Sequence, residues 1–333
     1  MHDLIILTGA GFTANFGGFL SPEMWARILN NPLIQKKKCL REELLNDFDF
    51  EEVHYHLFHS RYGQYSDEDR VDFMQAVEEA YKHLDERIKG WRASENPLRT
   101  CIEESFGIES KQERKFIFTL NQDLFVERVF HYKPAGVQAF KGDIYEIDSQ
   151  IKKTDFVKLP EEKSLEELEN DINSYKGPTY IKLHGSYGWI SGTGANQLVI
   201  GMNKKEDIEK EPLLKAYYNF FEEVIASTKK ILVIGYGFGD THINRVLYNG
   251  IEKSNLKLYI VNPTLPKFLK TIFHTQAPRI KLGNGTPSDP PADPYKFWGS
   301  VSGYFPYTLN EIFPHGVSDG SILRELKLAL QNG

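Results

Sequence analysis

The residues best placed to do chemistry in this 333-residue chain come directly after short apolar runs, one polar or glycine-rich group to each run. "TGAGFTA" fits the pattern G-x-G-x-x-G/A with Gly9, Gly11 and Ala14. Glycines at this spacing let a backbone approach a diphosphate, and a helix starting there aims free N–H groups at it. An ordinary tight turn has the same composition. "TLNQD" supplies Asn121 and Asp123, residue types that hold ligands but that equally form turns and cap helices. "YIKLHGSYGW" ends an apolar run on His184 and Gly185, where packing requires neither. A neutral imidazole, with an ordinary pKa of about 6.5, can remove a proton at physiological pH; an isolated histidine at a strand end more often has a structural role. "GYGFGD" brings Gly235, Gly237 and an Asp240 placed to cap the next helix, and "LKLYIVNP" ends on Asn262.

These groups need strands to position them. The runs at 4–9, 115–123, 179–185, 229–239 and 256–263 are continuously apolar rather than alternating, the signature of strands covered on both faces. Helical patterns fill the gaps, as in 211–227 and 240–253. The expected fold is α/β: a Rossmann-like parallel sheet with helices on both faces, its ligands beyond the carboxyl ends of the strands. A plain dinucleotide-binding unit reaches its second strand within about 30 residues. Here about 105 residues separate Thr8 from Lys115, and they read as helix. We therefore expect a helical module, 30–112, inserted into an α/β domain made of 1–29 and 113–275, followed by a C-terminal loop and helix tail, 276–333. The acidic stretch "EEKSLEELEND" reads as a surface helix, and "GNGTPSDPPADP" as a loop.

Composition excludes several classes. A net charge of −6 does not favour direct nucleic-acid binding. Two distant cysteines, Cys39 and Cys101, preclude a disulfide framework and a four-cysteine zinc site, and fit a reducing cytoplasm. No apolar run has the roughly 18 residues of a membrane span, so no membrane contact is expected. His54, His56 and His59 in "HYHLFH" point to different sides of a helix, and no metal is expected there or elsewhere. "QKKKCLRE" reads as a solvated helix face.

In their order along the chain, the strand-end groups resemble the sirtuin-like NAD-consuming family. The matching residues are Gly9-Ala10-Gly11, then Thr119-Asn121-Asp123, then His184-Gly185, then Gly235 to Phe238, then Asn262. "VIGYGFGDTHIN" looks most like the bacterial branch of NADases that serve antiphage defence. The resemblance covers residues 1 to about 20 and about 115 to 265. Protein deacetylases of the family carry two Cys-x-x-Cys pairs, which this chain lacks. "GGFLSP" stands where they have Asp-Phe-Arg, Leu120 where they have glutamine, and no Phe-Gly-Glu strand follows Trp189.

The resemblance implies NAD+ as substrate and no metal. It assigns proton removal to His184, contact with the ribose or the attacking water to Asn121, and acceptance from the carboxamide amine to Asp123. Gly9, Ala10, Gly11 and Thr13 would cradle the diphosphate, with Gly235, Gly237 and Asn262 around the adenosine half; Asp240 and His242 could belong to helix capping. The implied activity is NAD+ glycohydrolysis, controlled by homo-oligomerisation or by a separate subunit such as a HerA-like ATPase or an Argonaute-type sensor. A protein deacylase or ADP-ribosyltransferase, and a non-catalytic NAD or ADP-ribose sensor, are the alternatives.

Overall fold

The computed structural model describes residues 5–88, 97–108, 115–138, 140, 151–162, 165, 168, 172, 178–192, 196–279, 293–314 and 320–332. The chain opens with β1 (Ile5–Thr8) and the short α1 (Ala10–Ala14). Six helices follow: α2 (Ser21–Leu29), α3 (Pro32–Lys36), α4 (Lys38–Asp47), α5 (Phe50–Tyr55), α6 (Asp67–Ile88) and α7 (Pro97–Ser105). Then come β2 (Phe116–Thr119), β3 (Val157–Lys158), β4 (Thr179–Lys182), β5 (Gly185–Ile190) and β6 (Asn196–Leu198). The second half runs α8 (Lys204–Lys210), α9 (Pro212–Ser227), β7 (Lys230–Ile234), α10 (Thr241–Ser254), β8 (Lys257–Val261) and α11 (Pro266–Arg279). It closes with α12 (Pro294–Gly299), β9 (Val301–Phe305), α13 (Leu309–Ile312) and α14 (Ser321–Asn332).

Six strands form one sheet in the order β4-β2-β1-β7-β8-β9, parallel at every pairing. The α/β parallel sheet with surrounding helices is thus as the sequence predicts. All four residues of β1, β2 and β4 are buried, which is why their runs are apolar without alternation. Burying each large side chain of such a run contributes about 1.5–3 kcal/mol. From β1 the strand order proceeds one way through β2 to β4 and the other way through β7 to β9. Its reversal point therefore lies between β1 and β7, where open α/β sheets leave a crevice.

Two features were not anticipated. The segment read as a loop and helix tail also contains β9, which extends the sheet parallel to β8. Only Phe305 of its five residues is buried, so it carries little of the apolar signal that marks the inner strands. A second sheet has the order β3-β5-β6, and its central strand β5 begins directly after His184. Gly185 adopts φ +75, and a Cβ there would sit 2.5 Å from the Gln197 carbonyl oxygen, so the turn from one sheet into the other demands glycine.

The region between β1 and β2 is helical. Its helical layer starts at Ser21: α2 packs on α5 and α6, and the Trp25 indole donates to the Leu44 carbonyl at 2.9 Å. A buried ion pair between Asp85 on α6 and Arg128 ties this layer to the segment after β2. Lys37, expected on a solvated face, bridges to Glu68 of α6 at 2.9 Å. After Tyr55 the helix loosens into a π-helical turn, His56–Ser60. The three histidines there do separate: His56 meets Glu43 and Asp47, His54 stacks on Phe58, and His59 stacks on Tyr55. The expected helix in "EEKSLEELEND" and the expected loop "GNGTPSDPPADP" fall largely outside the described residues. Among the described residues no helix is long and apolar enough to cross a membrane.

Candidate active site

At the reversal point the two glycine turns pack backbone against backbone. Gly9 N–H donates to the Ile234 carbonyl at 3.0 Å, and Gly11 N–H to the Gly235 carbonyl at 2.9 Å. A Cβ on Gly9 or Gly11 would lie 2.8 Å from Gly235 or Tyr236 atoms. One on Gly235 would lie 2.3 Å from the Phe12 nitrogen, at a φ of +65. The contact engages N–H groups to which the resemblance assigns a diphosphate. The N–H groups of Gly9, Gly11 and Phe12 are spent inside the protein, and α1 is only five residues long. The glycines are there first so that the turns can touch. Ala10 and Gly237 are the exposed members of the two turns, and a Cβ on Gly237 would meet nothing within 4 Å.

Gly235→Ala should therefore destabilise the fold by about 2–6 kcal/mol, combining left-handed strain with overpacking. Gly237→Ala should stay within about 0.5 kcal/mol of the parent. Denaturant unfolding of both variants reads the difference; equal effects would show that turn packing is not what selects glycine.

The polar groups after β2 close over the first turn. Asn121 donates from Nδ2 to the Gly9 carbonyl at 3.0 Å and to the Thr13 hydroxyl at 3.4 Å. Asp123 accepts the Phe125 N–H at 2.9 Å and is also hydrogen-bonded to Thr13. Burial raises the Asp123 pKa, opposed by Lys182. With these partners Asp123 shapes the loop that carries Asn121. Asn262 is likewise engaged: Nδ2 donates to the Tyr236 carbonyl at 2.9 Å and Oδ1 accepts the Thr264 N–H at 2.9 Å. It joins the turn after β7 to the turn after β8.

His184 is 3% exposed, yet it faces polar groups rather than apolar core. Its Nε2 lies 2.9 Å from Nε2 of His242. The ring is also hydrogen-bonded to the Leu120 carbonyl, next to Asn121. A carbonyl only accepts, so the His184 nitrogen facing it carries the proton, and Nε2 accepts from His242 N–H. Burial holds the His184 pKa well below its ordinary value, Asp240 opposing, and brings His242 down to about 4. Both rings are neutral near pH 7.

Behind the histidines runs a chain of charges that sequence reading missed. Asp240 occupies the N-cap position of α10 as expected, but its side chain makes no cap hydrogen bond. Its Oδ1 instead accepts from Lys204 Nζ at 2.7 Å, and Lys204 reaches Glu51 of α5 at 2.9 Å. Burial raises the Glu51 pKa to about 7, with Lys204 opposing. Lys204 offsets its own burial through the two carboxylates and stays protonated. Donor atoms of His184, Asp240 and His242 lie within 4.8 Å of one another, and each of the three residues already has a protein partner. Gln122 was also missed. Its Nε2 donates to the carbonyls of His184 at 2.9 Å and Val199 at 2.6 Å, while its Oε1 accepts from Tyr81 of α6. The helical region thus contributes Glu51 and Tyr81 to the surroundings of His184. Nothing in their sequence neighbourhood distinguishes them.

An open parallel sheet with paired glycine turns and strand-end polar groups at its reversal point defines an α/β protein of the Rossmann-like type. More particularly, residues 115–277 match the family model of the SIR2-like domain. That span contains β2, β4, β7, β8 and the residues Asn121, His184, Asp240 and Asn262. No curated protein matches the chain.

Proposed function

We propose that this protein is an NAD+ glycohydrolase, splitting the nicotinamide–ribose bond to give nicotinamide and ADP-ribose. The observation that supports the reading is that His184 and Asn121 stand at the ends of adjacent strands, Asn121 bonded to the Gly9 turn at the sheet's reversal point, within a SIR2-like segment. The division into an NAD-binding α/β domain, an inserted helical module and a C-terminal segment is part of this reading.

The nicotinamide ring is cationic in NAD+ and leaves the ribose as a neutral molecule, so the site needs no acid for the leaving group. It needs a base for the attacking water as the ribose passes through an oxocarbenium-like state. Neutral His184 accepts that proton at Nε2 while Asn121 orients the ribose or the water. In the resting protein His242 N–H occupies Nε2, so turnover requires this hydrogen bond to be exchanged for one from water. That guarded state suits an effector whose unrestrained activity would drain its own cell. The resemblance extends the reading to antiphage defence in the bacterial cytoplasm. Control would then come from self-assembly or from a partner such as a HerA-like ATPase or an Argonaute-type sensor. Chromatography of NAD+ incubated with the purified chain, alone and with a co-encoded partner, should show equimolar nicotinamide and ADP-ribose. Intact NAD+ at protein excess in both arms would refute the proposal, and O-acyl-ADP-ribose or modified protein would replace it with acyl or ADP-ribosyl transfer.

A further inference from the structure

We propose that Glu43, Asp47 and His56 form a binding site for a divalent transition ion of the zinc class, which staples α4 to the turn following α5. The proposal stands apart from the NAD+ reading, because the cluster lies in the helical region and shares no residue with the surroundings of His184.

The three side chains come from two places. Glu43 and Asp47 stand four positions apart on α4, so they share one face of it. His56 opens the π-helical turn His56–Ser60, and such turns are frequent at functional sites. The histidine stretch alone shows no ligand set, since His54 and His59 stack on Phe58 and Tyr55. The carboxylates that complete one arrive from α4. His56 Nδ1 lies 2.7 Å from Glu43 Oε1 and 3.2 Å from Asp47 Oδ2, and donor atoms of all three lie within 4.8 Å of one another. Two observations set the cluster apart from an ordinary ion-pair network. Asp47 Oδ2 is buried yet accepts no hydrogen bond among the described residues, a costly state that a bound cation would relieve. Glu43 is also held by Arg61 Nη1 at 2.7 Å and by the Tyr65 hydroxyl, the outer hydrogen bonding that fixes a ligating carboxylate. A carboxylate only accepts, so His56 Nδ1 carries the proton that faces Glu43. A metal ion takes the place of this proton, which passes to Nε2 or to solvent, and the Nδ1 lone pair becomes a ligand. Tetrahedral ligands of zinc stand about 3.3 Å apart, so His56 and Glu43 need to separate by about 0.6 Å and Asp47 hardly moves. One nitrogen with two oxygens suits zinc, whereas magnesium and calcium take oxygen ligands.

The probes are Zn2+, Mn2+ and Mg2+, each added alone to full-length protein freed of metal with a chelator. Zinc at about 100 times its dissociation constant, measured by calorimetry, should raise Tm by about 3–5 °C. Manganese should act more weakly and magnesium not at all. Asp47→Asn is the decisive variant. Because Asp47 Oδ2 accepts no hydrogen bond, the ion-free variant should melt within about 2 °C of the parent. Its zinc affinity should nevertheless fall by at least about tenfold. His56→Gln should lose the zinc response as well. His184→Gln disables the other group of neighbouring donors, His184, Asp240 and His242, and should respond to zinc like the parent. The proposal is overturned if the parent does not respond to zinc, responds equally to magnesium, keeps its full response in Asp47→Asn, or loses it in His184→Gln. Should Asp47→Asn not fold, NMR of 13C-labelled histidine in the parent decides. Manganese should broaden the His56 signal, assigned as the one missing from His56→Gln, and leave the His184 and His242 signals sharp; the reverse pattern overturns the proposal. None of these measurements needs turnover, so zinc binding here survives a protein that leaves NAD+ intact, and NAD+ cleavage survives a protein that ignores zinc.

Discussion

Replacing His184 by glutamine should lower the rate of nicotinamide release by about 10²- to 10⁴-fold, or about 2.7–5.4 kcal/mol of barrier. Glutamine is the informative choice because its carbonyl can still accept the His242 N–H that meets His184 Nε2. Alanine would leave that buried donor without a partner and cost an additional ~1–3 kcal/mol of stability. A loss of kcat in folded His184→Gln, with KM little changed, separates proton removal from substrate binding. The pH profile supplies a second check. Burial disfavours the imidazolium and holds the His184 pKa well below its ordinary value. A base must be neutral to act, so activity should stay level as pH falls past the usual histidine range. It should decline only when pH passes through the depressed folded value. A half-loss near pH 6.5 would mean that an exposed, ordinary imidazole is the base instead. Wild-type turnover by His184→Gln would show that a group other than His184 removes the proton.

What could be read from the sequence follows from what each residue does locally. Gly9, Gly11 and Gly235 were visible because backbone contact at the turns excludes any side chain, and the inner strands because burial on two faces leaves no polar positions. The reason for the glycines was not visible: the pattern suggested an anion cradle, and the turns proved to be packed on each other. Asp240 was legible as an N-cap by position, yet its carboxylate is taken by Lys204, whose approach depends on a loop more than thirty residues earlier in the chain. Glu51 and Tyr81 could not be found at all, because they lie in helices whose pattern reports only their own packing. β9 escaped notice since an edge strand with one buried residue resembles a loop. His184 was singled out as a polar residue ending an apolar run, and its ring faces polar groups. Its partner His242 was left among the capping candidates because the two meet only when the end of β4 and the first turn of α10 are brought together in the folded chain.

A large stability effect is also expected at Lys182, the last residue of β4. Its ammonium is fully buried, 2.9 Å from Glu127 Oε1, and it also donates to the Asp123 carbonyl. Glu127 accepts in addition from the Tyr180 hydroxyl at 3.3 Å. Lys182→Met should cost about 3–5 kcal/mol, because removing one member leaves an uncompensated charge in the core. The direction with pH identifies the cause. Burial raises the Glu127 pKa and Lys182 opposes that rise, so losing the lysine raises it further. A carboxyl with a raised folded pKa contributes its stability in full below the unfolded pKa, about 4.3, and loses it as pH climbs through the folded value. The Tm gap between parent and Lys182→Met should therefore be narrow near the ordinary carboxylate range and wide at alkaline pH. Adding Glu127→Gln, which keeps an acceptor for Tyr180 and removes the charge, should recover much of the loss and flatten the pH dependence. A gap that does not change with pH would mean that lost packing, not the stranded carboxylate, is responsible. The same ammonium holds the backbone of Asp123, two residues from Asn121, so Lys182→Met protein that remains folded should also lose NAD+ cleavage as the Asn121 loop shifts from the Gly9 turn.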